Sequence, residues 1–324
     1  MKLIIQIPCY NEEDTLPLVL KDLPKKIKGI DVVELQIIDD GSTDKTVEVA
    51  ERFGVHHIVS FKSNRGLAAA FKAGVDNAIA NEADILVNTD GDNQYNGKDI
   101  VKLVQPIING EADIVIGCRP IEENPEFSFT KKKLHMIGSW ILRKISNTSI
   151  KDPASGFRAY DKNAILTMNI YSSFSYCMET LIQAGRNNLK VIGVCIGVNP
   201  KTRDSRLFRN NFQYIWEQAK TMLSIFILYR PNIFFNFIAF IILLFSIMLV
   251  LRYLLHVYMS STPSGAFWPS IVLAGIMLVV SFQIYLTGLL ASLISSIRML
   301  SEDTNFRIKN IQISILKDKA SQGG

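Results

Sequence analysis

Two long apolar runs near the C-terminal end limit most strongly what this chain of 324 residues can fold into. They cover residues 231–251 and 267–297. Each is longer than the roughly 18 apolar residues that indicate a membrane-spanning helix. The alternative is the buried core helix of a soluble domain, but two adjacent runs of this length would need a very large core. The sequence therefore predicts a transmembrane hairpin of two helices after a soluble first two-thirds.

The charges around this hairpin predict its orientation in the bilayer. Residues 259–264, which connect the two runs, carry no charge, whereas basic residues flank the pair on both sides. Because basic residues accumulate in cytoplasmic segments, we expect an integral membrane protein with a short turn outside the cytoplasm and both termini inside it. The flanking basic residues are Lys201, Arg203, Arg206, Arg209, Lys220 and Arg230 before the hairpin, and Arg298, Arg307 and Lys309 after it.

The first 120 residues alternate short apolar segments with longer amphipathic ones. Alternation of this kind is typical of an α/β fold of Rossmann-like type, a mostly parallel sheet with helices on both faces. Ligands of such sheets bind beyond the carboxyl ends of the strands. The polar residues that directly follow a strand are therefore the candidates for function. Strands are predicted at 3–7, 35–38, 85–87 and 114–116, and helices at 14–26, 43–53, 67–80 and 99–108.

The most informative motif follows the strand predicted at 85–87. It places two carboxylates two residues apart in Asn88-Thr89-Asp90-Gly91-Asp92-Asn93-Gln94. Both carboxylates can turn toward one ligand, and a hard divalent cation such as Mg²⁺ takes oxygen ligands of this kind together with substrate phosphates. Such a cation would neutralise charge on a leaving diphosphate. Taken alone, the same pattern is also typical of a solvated turn.

Polar residues also follow the first two predicted strands. After the second strand, Asp39 and Asp40 precede Gly41-Ser42-Thr43-Asp44, in which Ser42 or Thr43 would cap the next helix. Capping does not account for two adjacent carboxylates, and a carboxylate here can accept hydrogen bonds from a base or a ribose. After the first strand, Pro8-Cys9-Tyr10-Asn11-Glu12 offers a tyrosine ring for base stacking and an asparagine that could cap a helix.

In this order, the three motifs resemble those of the family-2 inverting glycosyltransferases with the GT-A fold, from Pro8 to about Arg206. Within that family the chain looks most like the polyprenyl-phosphate glycosyltransferases, such as dolichol-phosphate mannose and glucose synthases. The narrower resemblance rests on the two apolar runs and on three further motifs, Asp152-Pro153-Ala154-Ser155-Gly156-Phe157-Arg158, Cys177-Met178-Glu179-Thr180-Leu181 and Thr202-Arg203-Asp204-Ser205-Arg206.

The resemblance implies a role for each matching residue. The nucleotide sugar would be bound by Pro8, Tyr10, Glu12, Asp39, Asp90, Gly91, Arg119 and Arg203. A divalent metal, Mg²⁺ or Mn²⁺, would be held by Asp90, Asp92 and Gln94. The acceptor phosphate would be contacted by His135, where the family more usually has an arginine, and by Ser139, Arg158, Glu179 and Arg206. Asp152 lies where a catalytic carboxylate has been proposed in relatives.

The function implied is transfer of a hexose, with inversion, from a uridine- or guanosine-diphosphate sugar to a polyprenyl phosphate at the cytoplasmic membrane face. The product would be a polyprenyl-phosphate monosaccharide. A phosphate acceptor is already anionic, so positioning and charge stabilisation could supply most of the acceleration. The expected parts are a cytoplasmic GT-A catalytic domain at 1–209, an interfacial helix at 210–230, two transmembrane helices within 231–300 and a cytoplasmic tail at 301–324.

Other functions fit the sequence less well. A processive polysaccharide synthase shares the early motifs but also carries Q-x-x-R-W, which this sequence lacks; transfer to another lipid or polysaccharide acceptor stays the alternative. A non-catalytic membrane scaffold would have no need of Asp90 and Asp92 together with Asp39. A nucleotide-binding dehydrogenase is excluded because no G-x-G-x-x-G follows the first strand. No nucleic-acid partner is expected, and assembly as a homo-oligomer is left open.

Overall fold

The computed structural model describes residues 1–120, 129–170, 176–200, 220, 223–224, 226–259 and 268–322. The chain forms two compact units. Met1–Thr221 together with Glu302–Gly324 make up the first, and Met222–Ser301 make up the second.

A single sheet organises the described part of the first unit. Its strands are β1 (Lys2–Cys9), β2 (Val32–Asp39), β3 (His57–Ser60), β4 (Ile85–Asn88), β5 (Ile114–Cys118), β6 (Arg158–Asp161) and β7 (Val191–Cys195). Their order across the sheet is β3-β2-β1-β4-β6-β5-β7. β6 runs antiparallel to its neighbours β4 and β5, and the other pairs are parallel. The first residue of β6 therefore lies at the edge where its neighbours end.

Helices cover both faces of this sheet. They are α1 (Leu16–Asp22), α2 (Thr46–Arg52), α3 (Leu67–Ala80), α4 (Ile100–Ile108), α5 (Phe129–Ser146), α6 (Lys162–Thr167) and α7 (Tyr176–Arg186). One hydrophobic core joins one face of the sheet to α1, α2 and α4, and a second core joins the other face to α3, α6 and α7. β1 shows the alternation clearly, because Leu3, Ile5 and Ile7 belong to the first core and Ile4 to the second. Burial on both faces explains why the central strands are almost continuously apolar.

The α/β fold class and the mostly parallel sheet predicted from the sequence are confirmed. The predicted strands lie within β1, β2, β4 and β5, and α3 has the predicted bounds. The start of α2 is corrected. It begins at Thr46, and Asp44 rather than Ser42 or Thr43 accepts a hydrogen bond from the Thr46 N–H.

The second unit contains apolar helices. They are α8 (Pro231–Met259) and the part of α9 (Trp268–Gln322) that ends at Ser301. By length and composition the two helices could cross a membrane, with mean hydropathies of 2.9 and 2.0 in their most apolar windows. Small residues lie between them, since the Ser246 and Ser281 hydroxyls donate to the carbonyls of Ala274 and Ala239 at 2.8 Å. Close packing through small residues is typical of membrane helices.

The remainder of α9, from Glu302, belongs to the first unit. Phe306 packs against the second hydrophobic core of that unit. The Lys309 ammonium donates to the Met168 carbonyl at 2.7 Å. The end of the last helix is thus fastened to the sheet domain.

Candidate active site

The loops that carry the predicted motifs meet at one edge of the sheet. β1, β2, β4 and β5 all end there, because their directions are the same. The segment 152–157 reaches the same edge from the other direction, since it leads into the antiparallel β6. Five segments from distant parts of the sequence are therefore brought together beyond the strand ends.

The first two loops are held to each other by hydrogen bonds. The Asn11 N–H donates to the Ser42 hydroxyl at 2.9 Å, and the Thr43 N–H donates to Asn11 Oδ1 at 2.8 Å. The Glu12 N–H donates to the Thr46 hydroxyl at 2.8 Å. Asn11 therefore joins two loops and does not cap a helix. Tyr10 projects beside this junction with 41% of its surface exposed, while Pro8 is buried at the end of β1.

The two adjacent carboxylates after β2 have separate tasks. Asp39 is buried and accepts from the Ser42 N–H at 2.9 Å, which places it inside the loop at the strand end. Asp40 accepts from the N–H groups of Arg65 and Gly66 at 2.7 and 2.9 Å. Asp40 thus organises the backbone that leads into α3. This leaves Asp39 as the carboxylate of the pair that lies at the site.

The loop after β4 is packed against the loop after β1. A Cβ on Gly91 would lie 3.1 Å from the Cys9 sulfur and 3.3 Å from Glu12 Cγ, so the close approach requires glycine or a shift of its neighbours. Beyond it, the Gln94 N–H donates to Asp92 Oδ1 at 3.1 Å, and the Asn199 N–H donates to the Gln94 carbonyl at 2.9 Å. These contacts hold the turn that carries Asp90, Asp92 and Gln94.

Negative charge accumulates around Asp90. Its surroundings raise the pKa of the Asp90 carboxyl to about 7, mainly through burial and also through repulsion from Asp92 and Glu12, while Arg119 opposes the rise. Crowded oxygen ligands of this kind fit a hard divalent cation. Among the described residues, no three His, Cys, Asp or Glu side chains are grouped closely enough to hold an ion by themselves. The residues that could hold a cation here are Asp90 and Asp92, with the Gln94 side-chain oxygen and substrate phosphates as further oxygen ligands.

Arg119 and Asp152 form a bidentate ion pair. Arg119 Nε and Nη2 donate to Asp152 Oδ2 and Oδ1 at 2.7 and 3.1 Å, and the Arg119 N–H also approaches Oδ2, at 3.3 Å. Asp152 is buried, whereas the Arg119 side chain is 24% exposed. The planar guanidinium is thereby fixed in one orientation next to Asp90. The remaining guanidinium donors are suited to a phosphate oxygen.

The predicted role of Arg158 is wrong. The side chain is fully buried at the start of β6 and donates within the protein, to the carbonyls of Pro153, Ser155 and Cys177 and to the Thr180 hydroxyl, at 2.7–2.9 Å. A guanidinium satisfied in this way has no access to an acceptor phosphate. Its task is to fasten the 152–157 loop to α7.

The other predicted acceptor residues are less completely placed. Ser139 on α5 and Glu179 on α7 are both buried, and these two helices pack against each other. Gly185 allows the close approach, because a Cβ there would lie 1.6 Å from the Ser146 carbonyl oxygen. His135 lies on α5, but its side chain is outside the described residues, and Arg206 is outside them altogether, as is Arg203, which was predicted to bind the nucleotide sugar.

Sequence reasoning missed three residues that line this edge. The Gly156 N–H donates to the Tyr95 hydroxyl at 3.2 Å, and a Cβ on Gly156 would lie 3.2 Å from Asp90 Oδ1. Tyr176 is the third, because its hydroxyl would be 2.8 Å from that Cβ. The motifs that contain Gly156 and the start of α7 were visible in the sequence, but their contact with Asp90 is not local in the chain.

Solved structures share this architecture. Glucosyl-3-phosphoglycerate synthase from Mycobacterium tuberculosis, solved with Mn²⁺, UDP and glucosyl-3-phosphoglycerate, superimposes with a TM-score of 0.53 at 19% sequence identity. The match covers 70% of this chain and 78% of that one. A likeness at this identity shows the fold, which is that of the GT-A class of glycosyltransferases.

The sequence identifies the family. Residues 4–168, just over half of the chain, match the family model described as Glycosyl transferase family 2, and the chain belongs to that family. It is therefore a glycosyltransferase, as the motifs predicted.

Named relatives are similar over much of their length. The UDP-N-acetylglucosamine–dolichyl-phosphate N-acetylglucosaminyltransferase of Methanococcus voltae is 29% identical over 57% of this chain and 80% of the relative. The dolichol-phosphate mannosyltransferase of Pyrococcus furiosus is 28% identical over 66% of this chain and 62% of the relative. The polyprenol monophosphomannose synthase of Mycolicibacterium smegmatis is 26% identical over 60% of this chain and 76% of the relative.

Proposed function

We propose that this protein transfers a hexose from a nucleotide-diphosphate sugar to a polyprenyl phosphate, with inversion, at the cytoplasmic face of a membrane. The observation that carries the proposal is one edge of the sheet, where Asp39, the Asp90–Asp92 loop and the Arg119–Asp152 pair converge. The same chain carries two helices apolar enough to span a bilayer. The acceptor is inferred from the relatives, whose names specify dolichyl or polyprenyl phosphates.

The donor would lie across the ends of β1, β2 and β4. Asp39 would accept hydrogen bonds from the nucleoside, and the exposed Tyr10 ring would offer a stacking surface beside it; the burial of Asp39 at the strand end supports this. Pro8, Glu12 and Gly91 shape the floor on which the nucleotide would rest. The assay with labelled UDP- and GDP-sugars described below identifies the base and the sugar.

The diphosphate end of the donor would meet the Asp90–Asp92 loop. We propose that Asp90, Asp92 and Gln94 hold a divalent cation, Mg²⁺ or Mn²⁺, together with the diphosphate oxygens. When bound, that ion supplies charge neutralisation for the leaving nucleotide diphosphate. The two carboxylates would set where the diphosphate lies through that ion, and the raised pKa of the Asp90 carboxyl is consistent with a site that favours a cation.

The acceptor phosphate would approach from the side of the 152–157 loop. Asp152 holds the Arg119 guanidinium toward the site, where it can stabilise negative charge on a phosphate. A phosphate monoester is anionic at neutral pH, so attack on the anomeric carbon depends on placement more than on proton removal. We propose that the remaining acceptor contacts come from His135, Ser139, Glu179 and Arg206, and that Arg203 contacts the nucleotide sugar.

The test is transfer by the purified full-length protein in lipid nanodiscs. Labelled UDP- and GDP-sugars are each incubated with undecaprenyl or dolichyl phosphate and Mg²⁺ or Mn²⁺, and with a soluble saccharide as an alternative acceptor. We expect label in the organic phase for one donor, in a lipid-linked product whose anomeric configuration is inverted relative to the donor and which releases the free sugar in mild acid. Label only in a water-soluble polymer, or no lipid-linked product with any donor, would overturn the proposed acceptor.

A further inference from the structure

A row of buried amide side chains crosses the apolar sheet just below the site. Gln6 of β1 is paired in register with Gln36 of β2 on one side and with Asn88 of β4 on the other. All three residues have no exposed surface. They stand at the same level of neighbouring strands that are otherwise almost entirely apolar.

Hydrogen bonds join the amides side by side. The Gln6 Nε2 donates to Asn88 Oδ1 at 2.8 Å, and the Gln36 Nε2 approaches Gln6 Oε1 at 3.5 Å. At the far end, Gln36 Nε2 also donates to the Gly74 carbonyl at 2.8 Å, and its Oε1 accepts from Asn77 at 2.7 Å. The row therefore runs from α3, across three strands, to Asn88.

Such a row is costly for a sheet that needs only apolar residues. A buried amide stabilises a fold little beyond what its hydrogen bonds replace, and an apolar residue of similar shape can serve as well. The row also imposes a glycine inside α3, because a Cβ on Gly74 would lie 2.2 Å from Gln6 Oε1. Glycine within a helix is less favourable than alanine by roughly 1 kcal/mol. Because the amide row makes the fold less stable than an apolar row would, we expect it to have a role other than stability.

The hydrogen bonds of Asn88, at the end of the row, indicate what this role is. Asn88 Nδ2 donates to the Gly156 carbonyl at 2.9 Å and to the Tyr176 hydroxyl at 3.0 Å, so both of its amide hydrogens are used. Gly156 lies against Asp90, which follows Asn88 by two residues. The Asn88 carboxamide thus holds the end of β4, which leads into the Asp90–Asp92 loop, to the 152–157 loop.

We infer that Asn88 is a positioning residue, which fixes the 152–157 loop relative to the Asp90–Asp92 loop. The inference rests on the proposed function. There, Asp152 at the start of the 152–157 loop orients the Arg119 guanidinium on the acceptor side, and the Asp90–Asp92 loop holds the donor diphosphate. Tyr176 completes the support, because its ring stacks on Phe71 with centroids 4.0 Å apart and so holds the hydroxyl in place. Loss of Asn88 should displace the 152–157 loop while leaving the donor contacts of the Asp90–Asp92 loop intact.

The test compares Asn88→Leu with Gln36→Leu in the full-length protein. Both changes replace a fully buried amide of the same row with an apolar residue, but only Asn88 contacts Gly156 and Tyr176. We expect Asn88→Leu to lower kcat by about 10- to 100-fold, the effect of a misplacement of about 1 Å, with the donor KM changed less than about threefold. Gln36→Leu should keep kcat within about threefold at a similar melting temperature.

A milder variant keeps the test decisive if Asn88→Leu does not fold. Tyr176→Phe removes one hydroxyl and keeps the ring stack, and it should lower kcat by about 2- to 10-fold, the rate equivalent of one hydrogen bond. The inference is overturned if a folded Asn88→Leu keeps wild-type kcat, if Gln36→Leu loses as much as Asn88→Leu, or if donor KM rises while kcat holds. If Asn88→Leu does not fold, wild-type kcat in Tyr176→Phe overturns it.

The proposed function is tested separately, by identifying the product that the wild-type protein makes. The three variants are then compared with wild type on whichever acceptor the wild-type protein uses, and the same kcat and KM criteria decide the inference.

Discussion

The electrostatic surroundings of Asp92 differ from those of the buried carboxylates Asp40 and Asp152. Asp40 is bonded to backbone N–H groups and Asp152 to the Arg119 guanidinium, and each is compensated by its partner. Asp92 accepts from the Gln94 N–H and also lies beside Asp90, whose pKa it helps to raise. Two like charges held together in a loop are unfavourable unless a cation joins them.

Asp92→Asn should therefore abolish metal-supported donor binding and leave the loop folded. The variant keeps the Oδ1 that accepts from the Gln94 N–H, and it removes only the charge. We expect Mn²⁺ and donor affinities to fall at least about tenfold and transfer to fall about a hundredfold or more, as for loss of a preorganised electrostatic contact. Calorimetry and a turnover assay measure both, with the exposed Asp14→Asn as control. Full activity of Asp92→Asn, or of wild type in excess chelator, contradicts the prediction.

The Arg119–Asp152 pair should behave as one unit. Asp152→Asn removes the negative charge and one of the two oxygens that accept from the guanidinium, and Arg119→Lys cannot reproduce the bidentate contact. Each change should lower kcat by about 10²–10⁴-fold, typical of a lost orienting group, while calorimetric donor affinity is retained in Asp152→Asn. Because the two residues share one interaction, the double variant should be little slower than either single variant. Additive losses in kcat would show that the residues act independently.

Where a motif follows a strand, the sequence alone predicted that its residues would lie at one edge of the sheet; the roles assigned to these residues stay predictions. The Asp90–Asp92 loop, Asp39 and Arg119 lie together because the strand direction places them there. Arg158 was misjudged, because the sequence does not show that the carbonyls of distant segments consume its donors. The amide row was visible as Gln6, Gln36 and Asn88 in apolar strands, but only the pairing register reveals that they are adjacent.

The same limit applies to whole elements. The long helix α3 and the apolar strands β1 and β4 follow from local pattern, because periodicity and burial coincide in them. β6 could not be predicted in this way. It has only four residues, begins with Arg158 and ends with Asp161, and its antiparallel position between β4 and β5 is fixed by pairing over long sequence distances.

The junction of β6 and α6 provides a test at the scale of elements. Asp161 caps α6 by accepting from the Ala164 N–H at 2.7 Å. Burial raises the pKa of Asp161 to about 6, with a further contribution from the charge of Asp113. Because the folded-state pKa exceeds the unfolded value, the carboxyl favours folding in its protonated form. Its contribution to stability is lost as the pH rises from about 4 through about 6.

Asp161→Asn should remove this loss and keep the cap, since asparagine caps helices as well as aspartate does. After allowance for solvent screening, the variant should gain about 1 kcal/mol relative to wild type between pH 5 and pH 8. For a domain of this size that corresponds to about 2–4 °C in melting temperature. Thermal unfolding of the full-length protein in detergent measures it, with Asp14→Asn as a charge-matched control. An equal gain at both pH values would contradict the assigned cause.

At the scale of the whole molecule, the chain combines a sheet domain with two apolar helices, and the proposed function explains why both are needed. A polyprenyl phosphate keeps its chain in the bilayer and exposes only its phosphate, so a soluble domain alone would meet it rarely. A domain tethered by two apolar helices works at the membrane surface at a high effective concentration of acceptor. This requires the sheet domain and the nucleotide sugar to be on the same side, which the basic residues flanking the helices predict to be the cytoplasm.

The orientation can be measured by thiol labelling in intact cells. The four native cysteines, Cys9, Cys118, Cys177 and Cys195, are first replaced, and single cysteines are then introduced as Ser261→Cys and Asn310→Cys. Residues 259–264 carry no charge whereas Arg298, Arg307 and Lys309 are basic, so the positive-inside rule places position 261 outside the cytoplasm and position 310 inside it. An impermeant maleimide should label Ser261→Cys in intact cells and Asn310→Cys only after permeabilisation. The reverse pattern would place the sheet domain away from the cytoplasmic nucleotide sugars, and the proposed reaction could not occur as described.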